Sequence, residues 1–364
     1  KIIMRLSAEE LAQVYGSTLG ARPSADTPAT SSPEPLGPLI LEAAFWQLER
    51  EAPVLRRNAG FLKAPADGGS DDTLALAARW EALCGAADEV PLPGGCTDAA
   101  ALRIFERDAE RTFMTDEHRA SMIGALKQFW PENRDYHQGL GYVYSFLRLT
   151  QPTDVALRLV LRLNRSERHL RGYWYAAPPA YVRDAMVYSR LVGEHFPEVA
   201  QLLAQAGVAA EAYVSKWFVG LCLHVLPFRA LFAFYAQLLE EGAPFLFKFA
   251  LSLVRHTSSA LLACKPTDAS SIFAILRLDP ALYPDDHAVH DAILETASDW
   301  QVSDVQIAQL RAEEEAKLDL KMARVREAER KLAEQDGSDD EIEFSDDEED
   351  EDPEERLRRL AANN

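Results

Sequence analysis

The sequence predicts an all-α protein. Apolar residues recur at steps of three and four along most of the chain, as on the buried face of a helix, and Leu41, Phe45 and Leu48 are the first example. No convincing run of alternating polar and apolar residues predicts a strand. Stretches rich in Gly, Pro, Ser or Asp interrupt the periodic segments. Together these observations favour packed helices joined by loops.

The N-terminal part is predicted to hold a short helix and a linker. Ser7 and Glu10 form a capping box, which is typical of a helix start. Residues 21–38 are rich in Pro, Ser and Thr, so the interval 1–38 is expected to end in an extended linker. Residues 39–72 are expected to form an accessory helix and a Gly- and Asp-rich loop. The chain starts with Lys1, and we expect its numbering to begin inside a longer protein.

The central interval, residues 73–298, is predicted to be one helical domain. Its candidate helices cover roughly residues 73–84, 98–110, 117–129, 137–149, 152–164, 179–195, 198–206, 210–225, 231–241 and 245–256. The apolar stretch from Trp217 to Leu239 is long enough to suggest a membrane span. However, Arg229 near its centre would cost about 2.5 kcal/mol or more in a bilayer, and Pro227 would break the helix. Two buried helices are the better interpretation, and no transmembrane segment is predicted.

The C-terminal part is strongly charged. Residues 299–335 are dense in Glu, Lys and Arg, and Leu318, Val325 and Leu332 lie seven apart without a second apolar position, which favours a solvated helix over a coiled coil. Residues 336–364 include 14 acidic residues between Asp336 and Glu355, and are expected to be a disordered acidic tail. Ser338 and Ser345 each precede three acidic residues, a pattern that suggests phosphorylation by an acidophilic kinase.

Charge and composition exclude several classes of function. The net charge is −20, but outside the acidic tract 44 acidic residues face 38 basic ones, a balance of −6. We therefore expect no basic face for nucleic acid. Four scattered cysteines read as reduced thiols of a cytoplasmic protein. His287 and His290 among acids are a weak metal signal, and a helix start is the preferred interpretation, so no metal site is predicted. The chain also lacks a serine-hydrolase elbow and a phosphate-binding loop.

Two short motifs carry the functional prediction. They are Phe105-x-x-Asp108-x-x-Arg111-Thr112-Phe113 and Tyr136-x-Gln138-Gly139. Taken alone, the first reads as an ordinary ion pair on a solvated helix and the second as a helix start. Their order and separation, however, resemble the two fingerprints of the TBC family of Rab GTPase-activating proteins. Trp80-x-x-Leu83-x-Gly85 upstream and the segments around Trp217 and Pro244 downstream resemble the same family, so that the likeness covers about residues 73–255.

The resemblance implies a two-lobed helical TBC-type domain followed by the long charged helix and the acidic tail. In that family an arginine finger stabilises transition-state charge on the partner's GTP, and a glutamine finger orients the attacking water. Arg111 and Gln138 occupy these two positions. Asp108 would orient nearby basic groups, and the remaining supporting positions are Thr112, Tyr136 and Gly139. We expect Arg111 and Gln138 to line one surface.

The expected partner is a GTP-bound Rab, which would bring GTP and Mg²⁺, so that the chain needs no cofactor of its own and is not itself a hydrolase. The resemblance implies a cytoplasmic protein that reaches endomembranes through its Rab. Two departures are Leu140-Gly141 in place of Met-Asn, and Tyr235-Ala236 in place of Trp-Asp. The change at Tyr235-Ala236 and the acidic tail keep open a catalytically inactive scaffold or Rab-binding adaptor. A helical-repeat adaptor with accidental motif matches is a third interpretation, although no repeat of fixed period supports it.

Overall fold

The computed structural model describes residues 37–41, 45–49 and 75–336, and every regular element in these ranges is helical. The predicted all-α class is confirmed. A 3₁₀ turn at Leu39–Leu41 comes first. The α-helices that follow are α1 (Phe45–Leu48), α2 (Trp80–Cys84), α3 (Ala99–Thr112), α4 (Asp116–Asn133), α5 (Gln138–Thr150), α6 (Thr153–Arg165), α7 (Pro179–His195), α8 (Pro197–Gln205), α9 (Glu211–Phe218), α10 (Phe228–Glu241), α11 (Ala243–Leu262), α12 (Ala269–Leu276), α13 (Val289–Ala297) and α14 (Asp304–Asp336).

Several expectations fall on residues outside these ranges. They concern the capping-box helix, most of the Pro-, Ser- and Thr-rich linker, the Gly- and Asp-rich loop of residues 64–72 and the acidic tail with Ser338 and Ser345. They stay predictions from sequence, as does the division of the chain into five intervals.

Helices α3, α4 and α5 build the part of the fold that carries both motifs. Asp98 begins α3, because its Oδ1 accepts hydrogen bonds from the amides of Ala100 at 2.8 Å and Ala101 at 3.1 Å. Phe105 and Ala109, four residues apart, are buried on one face of this helix. That face packs against α4 and α5. The C-terminal end of α3 is thereby brought next to the beginning of α5.

Aromatic residues fill the core behind these helices. The Trp80 ring of α2 is fully buried and stacks on Phe232 and Tyr235 of α10, with centroid distances of 5.4 and 5.6 Å. Tyr235 also lies 4.6 Å from the ring of Phe146 on α5. The tyrosine that departs from the family's tryptophan is therefore a core residue that packs directly against the opening tryptophan motif.

The apolar stretch from Trp217 to Leu239 forms two helices, as predicted. Helix α9 ends at Phe218, and α10 begins at Phe228, directly after Pro227. The first helix is shorter than expected, because residues 219–226 make a turn in which the buried residues Leu221 and Cys222 adopt positive φ angles of 44° and 60°. Of the helices that the structure describes, none is both long and apolar enough to cross a bilayer.

The charged helix α14 differs from its prediction over its first half, which is packed rather than solvated. Ile307 and Leu310 are buried against the domain. Arg311 donates through Nε to Oδ1 of Asp184 on α7 at 2.9 Å and through Nη2 to Oδ2. Asp184 is fully buried, so this ion pair anchors the first half of α14 to α7.

Candidate functional site

The first motif occupies the last two turns of α3. Phe105, Asp108 and Thr112 are buried on the inner side, whereas the Arg111 side chain is 63% exposed. The Thr112 hydroxyl donates to the Asp108 carbonyl oxygen at 2.6 Å within the last turn. The arginine thus projects into solvent from a helix end whose other side is fixed in the core.

One carboxylate oxygen brings Arg111 and Gln138 together. Nη1 of Arg111 lies 3.6 Å from Oδ1 of Asp108, and Nε2 of Gln138 donates to the same oxygen at 3.1 Å. Burial raises the pKa of Asp108, while the nearby Tyr136 hydroxyl, the Arg111 charge and the Gln138 amide act in the opposite direction. The structure therefore places the two side chains on a shared carboxylate, across a sequence separation of 27 residues.

Gln138 is the first residue of α5, and its side-chain amide makes two hydrogen bonds. Besides Asp108, Nε2 donates to the hydroxyl oxygen of Tyr142, one turn further along α5, at 3.1 Å. Because an ionised carboxylate can only accept hydrogen bonds, Asp108 requires the NH₂ end of the amide to face it. The orientation of the glutamine amide is therefore set by its chemistry.

A neutral histidine starts helix α5. Nδ1 of His137 accepts a hydrogen bond from the Gly139 amide at 2.9 Å, which caps the helix. Burial lowers the pKa of His137 to about 4, with the Lys216 charge acting in the same direction and Asp135 against it. At neutral pH the ring is therefore uncharged, as an Nδ1 acceptor must be.

Gly139 permits a close approach behind the glutamine. A Cβ atom at this position would lie 3.0 Å from both the carbonyl oxygen and Cγ1 of Val219, in the turn after α9. Any side chain would push this turn away from the beginning of α5. The Tyr-x-Gln-Gly motif therefore connects α5 to the downstream half of the domain.

Tyr136 packs between the site and the core. Its ring packs edge-on against Phe105 of α3, with centroids 5.1 Å apart. Burial, and then the negative charge of Asp108, raise the pKa of Tyr136 well above its usual range, so its hydroxyl keeps its proton. A Cβ at Gly141 would lie 2.5 Å from this hydroxyl oxygen and 2.7 Å from Cε of Met122. The Leu140-Gly141 departure thus makes room for the position that Tyr136 adopts here.

Two residues near the glutamine are absent from the sequence-based site. Tyr142 contacts the Gln138 amide, and the exposed ring of His224 packs on Tyr142 edge-on at 5.0 Å and 90°. Tyr142 could have been found, because residues four apart on a helix are neighbours. His224 comes from the turn after α9, and no local pattern connects it with the glutamine.

Glu49 is a third residue that the sequence did not indicate. It is fully buried directly after α1 and accepts hydrogen bonds from the turn that follows Arg111. Its Oε2 accepts from the Met114 amide at 2.6 Å, and its Oε1 accepts from the Thr115 amide at 2.9 Å, the Thr115 hydroxyl at 2.6 Å and His118 Nδ1 at 2.7 Å. Burial acts to raise the pKa of Glu49, but the hydrogen bonds from His118, Met114 and Thr115 outweigh it and lower that pKa. The carboxylate therefore fixes the turn between α3 and α4.

The weak metal signal corresponds to a helix start. His287 Nδ1 accepts a hydrogen bond from the Val289 amide at 3.0 Å, at the beginning of α13. His290 Nε2 lies 3.2 Å from the Pro284 carbonyl oxygen. Within the described ranges, three or more His, Cys, Asp or Glu residues are nowhere grouped so that they could hold a metal ion.

Comparison with known protein families agrees with the paired motifs. Residues 98–262 match the family model of the Rab-GTPase-TBC domain. The resemblance of this part of the chain to the TBC family of Rab GTPase-activating proteins is thereby confirmed.

Two relatives and one solved structure illustrate the similarity. Mouse Carabin is 28% identical over 65% of this chain and 58% of its own length. Growth hormone-regulated TBC protein 1 of Xenopus tropicalis is 26% identical over 44% of this chain and 46% of its own. The match thus spans about half the length of these relatives. The crystal structure of the Chlamydomonas flagellar RabGAP TBC domain is 18% identical, covers 69% of this chain and 82% of its own, and has a TM-score of 0.46.

Proposed function

We propose that this protein activates GTP hydrolysis by a Rab-family GTPase and supplies Arg111 and Gln138 in trans. The observation that carries the proposal is the shared Asp108 oxygen, to which both side chains are held. An arginine and a glutamine that meet at one point can act on the same phosphoryl group. The match of residues 98–262 to the family model of the Rab-GTPase-TBC domain supports the proposal.

The chemistry requires both groups. Charge on the transferring phosphoryl oxygens grows in the transition state, and a guanidinium stabilises it with a permanent positive charge and several donors. An arginine finger is worth about 10³ to 10⁵ in rate, or roughly 4 to 7 kcal/mol at 1.36 kcal/mol per decade. Arg111 has the exposure that insertion into a partner needs, and Gln138 would orient the attacking water.

The remaining residues hold these two side chains. Asp108 orients both, Thr112 closes the last turn of α3, and Tyr136 and Gly139 fix the beginning of α5. GTP and Mg²⁺ would arrive with the GTP-bound Rab, and the chain alone would hydrolyse no nucleotide. We further propose a cytoplasmic protein that meets endomembranes through this Rab.

The test is single-turnover GTP hydrolysis with a panel of GTP-loaded Rab proteins. The wild-type chain should accelerate at least one Rab, and Arg111→Ala should remove about 10³-fold or more of that acceleration. Gln138→Ala should also reduce it strongly. Arg107→Ala is the matched control, because Arg107 is exposed one turn earlier on α3 and should leave the rate nearly unchanged. Acceleration that survives both Arg111→Ala and Gln138→Ala would refute the assigned roles.

A Rab-binding scaffold without catalytic effect is the second candidate. The departures at Gly141 and at Tyr235-Ala236 favour it, because they alter positions that are part of the family pattern. Saturable binding to a GTP-bound Rab, with no acceleration of hydrolysis across the panel, would select this function over the first.

A further inference from the structure

Helix α5 carries a second polar contact to the glutamine that the assigned roles do not use. Tyr142 lies one turn after Gln138, and its hydroxyl oxygen is 3.1 Å from Nε2 of the amide. We propose that Tyr142 is a positioning residue, which together with Asp108 clamps the Gln138 amide so that its carbonyl oxygen is presented to the attacking water. This inference rests on the proposed function, since it assigns a role within the same reaction.

The clamp follows from the donors and acceptors of a primary amide. The NH₂ group has two hydrogens to donate, and the carbonyl oxygen can only accept. One N–H faces Oδ1 of Asp108 and the other faces the Tyr142 oxygen, both at 3.1 Å. With both N–H groups engaged, a new hydrogen bond to this amide forms at Oε1.

An accepting oxygen is what a nucleophilic water requires. The water donates one hydrogen to Oε1 and directs its lone pair at the phosphorus atom. The reversed amide would place Oε1 against the Asp108 carboxylate and its NH₂ towards the water, which would then be held by the wrong atom. Asp108 disfavours this reversed orientation by charge, and Tyr142 fixes the plane of the amide from the other side.

The tyrosine is itself held in place. The His224 ring, which is exposed at the protein surface, packs edge-on against Tyr142. Because the Tyr142 oxygen accepts from the glutamine, its own O–H hydrogen is directed elsewhere. The contact therefore positions the amide without competing for Oε1.

The first experiment detects the clamp without any GTPase. The wild-type chain, labelled with ¹⁵N in glutamine, should show a Gln138 side-chain NH₂ pair that is assigned by its loss in Gln138→Ala. Tyr142→Phe should shift this pair and accelerate its exchange with solvent. Tyr144→Phe is the matched control, since it also removes a hydroxyl from α5. The Tyr144 hydroxyl lies near Ser121 and Arg148 rather than near Gln138. An unshifted Gln138 pair in Tyr142→Phe would overturn the clamp.

The second experiment measures its effect on hydrolysis, with the Rab that responds most strongly in the panel. One hydrogen bond of ordinary strength corresponds to a decrease of about 3- to 10-fold in the hydrolysis rate at saturating activator. Tyr142→Phe should show this decrease with an unchanged half-saturating concentration, and Tyr144→Phe should not. In a Gln138→Ala background, Tyr142→Phe should have no further effect.

The outcomes distinguish a failure of the Tyr142 positioning role from a failure of the proposed GTPase-activating function. A decrease that persists in the Gln138→Ala background would show that Tyr142 acts by another route, and would overturn the positioning role. If no Rab responds to the wild-type chain, the proposed function fails and the catalytic role of the clamp falls with it, whereas the NMR result still decides whether the clamp exists.

Discussion

Replacing Glu49 with glutamine should destabilise the domain measurably, although the two side chains have nearly the same shape. The buried Glu49 carboxylate accepts four hydrogen bonds from Met114, Thr115 and His118. A glutamine has only one accepting oxygen. If that oxygen keeps the three donors at the Oε1 position, the NH₂ group faces the Met114 amide, and a donor meets a donor.

The magnitude follows from the lost contacts. An unsatisfied buried donor costs about 1 to 3 kcal/mol, and each remaining bond weakens because its acceptor is no longer charged. We expect the free energy of unfolding to fall by about 3 kcal/mol. At about 2.1 cal/mol/K per residue over roughly 300 residues, this lowers the melting temperature by about 5 °C. Calorimetry of both proteins at pH 7 measures the difference.

The pH dependence of that difference has a defined sign. The pKa of Glu49 is lowered in the folded protein by its hydrogen bonds, which outweigh the opposing effect of burial. Its stabilisation is therefore complete above the pKa of an unfolded glutamate, about 4.3, and is lost as the pH falls through the lower folded value. The gap between wild type and Glu49→Gln should be largest near pH 7 and should narrow below about pH 4.

Glu106→Gln is the control, because Glu106 is exposed on α3 and its replacement should change the melting temperature by less than about 1 °C. Two results would refute the reasoning. One is a Glu49→Gln protein that melts with the wild type at pH 7, and the other is a difference that stays constant down to pH 3.

Two further predictions concern the beginning of α5. Gly141→Ala should lower the free energy of unfolding by about 1 to 3 kcal/mol despite the better helix propensity of alanine, because the new Cβ would lie 2.5 Å from the Tyr136 hydroxyl oxygen. In urea unfolding, Tyr136→Phe in the same chain should recover part of this loss, and strict additivity of the two changes would contradict the contact. His137, whose pKa burial lowers to about 4, should make the folded state lose stability as the pH falls from about 6.5 towards 4. His137→Asn keeps a capping side chain and should remove that slope, so equal slopes for the two proteins would contradict the neutral cap.

The sequence predicted most helices of the central domain because their apolar positions are periodic. It failed where the apolar residues of a segment are nearly continuous. The turn of residues 219–226 includes Val219, Leu221, Cys222 and Val225, which are all buried, so that its apolar run has no period to mark the end of α9. Helix α4 continues through Pro131 to Asn133, although the predicted helix ended at residue 129. A proline in the last turn removes only one helical hydrogen bond.

The candidate site shows the same division between local and distant signals. Asp108, Arg111 and Gln138 belong to motifs that can be read along the chain, and the structure brings them together. Glu49 lies 65 residues before Met114 in the sequence. Its role can be recognised only from the fold, which places its carboxylate against the turn between α3 and α4. The packing of the first half of α14 also depends on a distant residue. In the sequence the charge of Arg311 indicates a solvated helix, but in the fold Arg311 faces Asp184 of α7.

Helix α14 also acts as a spacer for electric charge. Its backbone stays helical to Asp336, which lies about 38 Å along the axis from Arg311 at 1.5 Å per residue. Asp336 is the first residue of the acidic tract in the sequence. Electrostatic interactions in water decay over about 8 Å at physiological ionic strength. At its starting point, the tract is therefore more than four screening lengths from the Asp184 anchor, and its first charge does not compete with that carboxylate for Arg311.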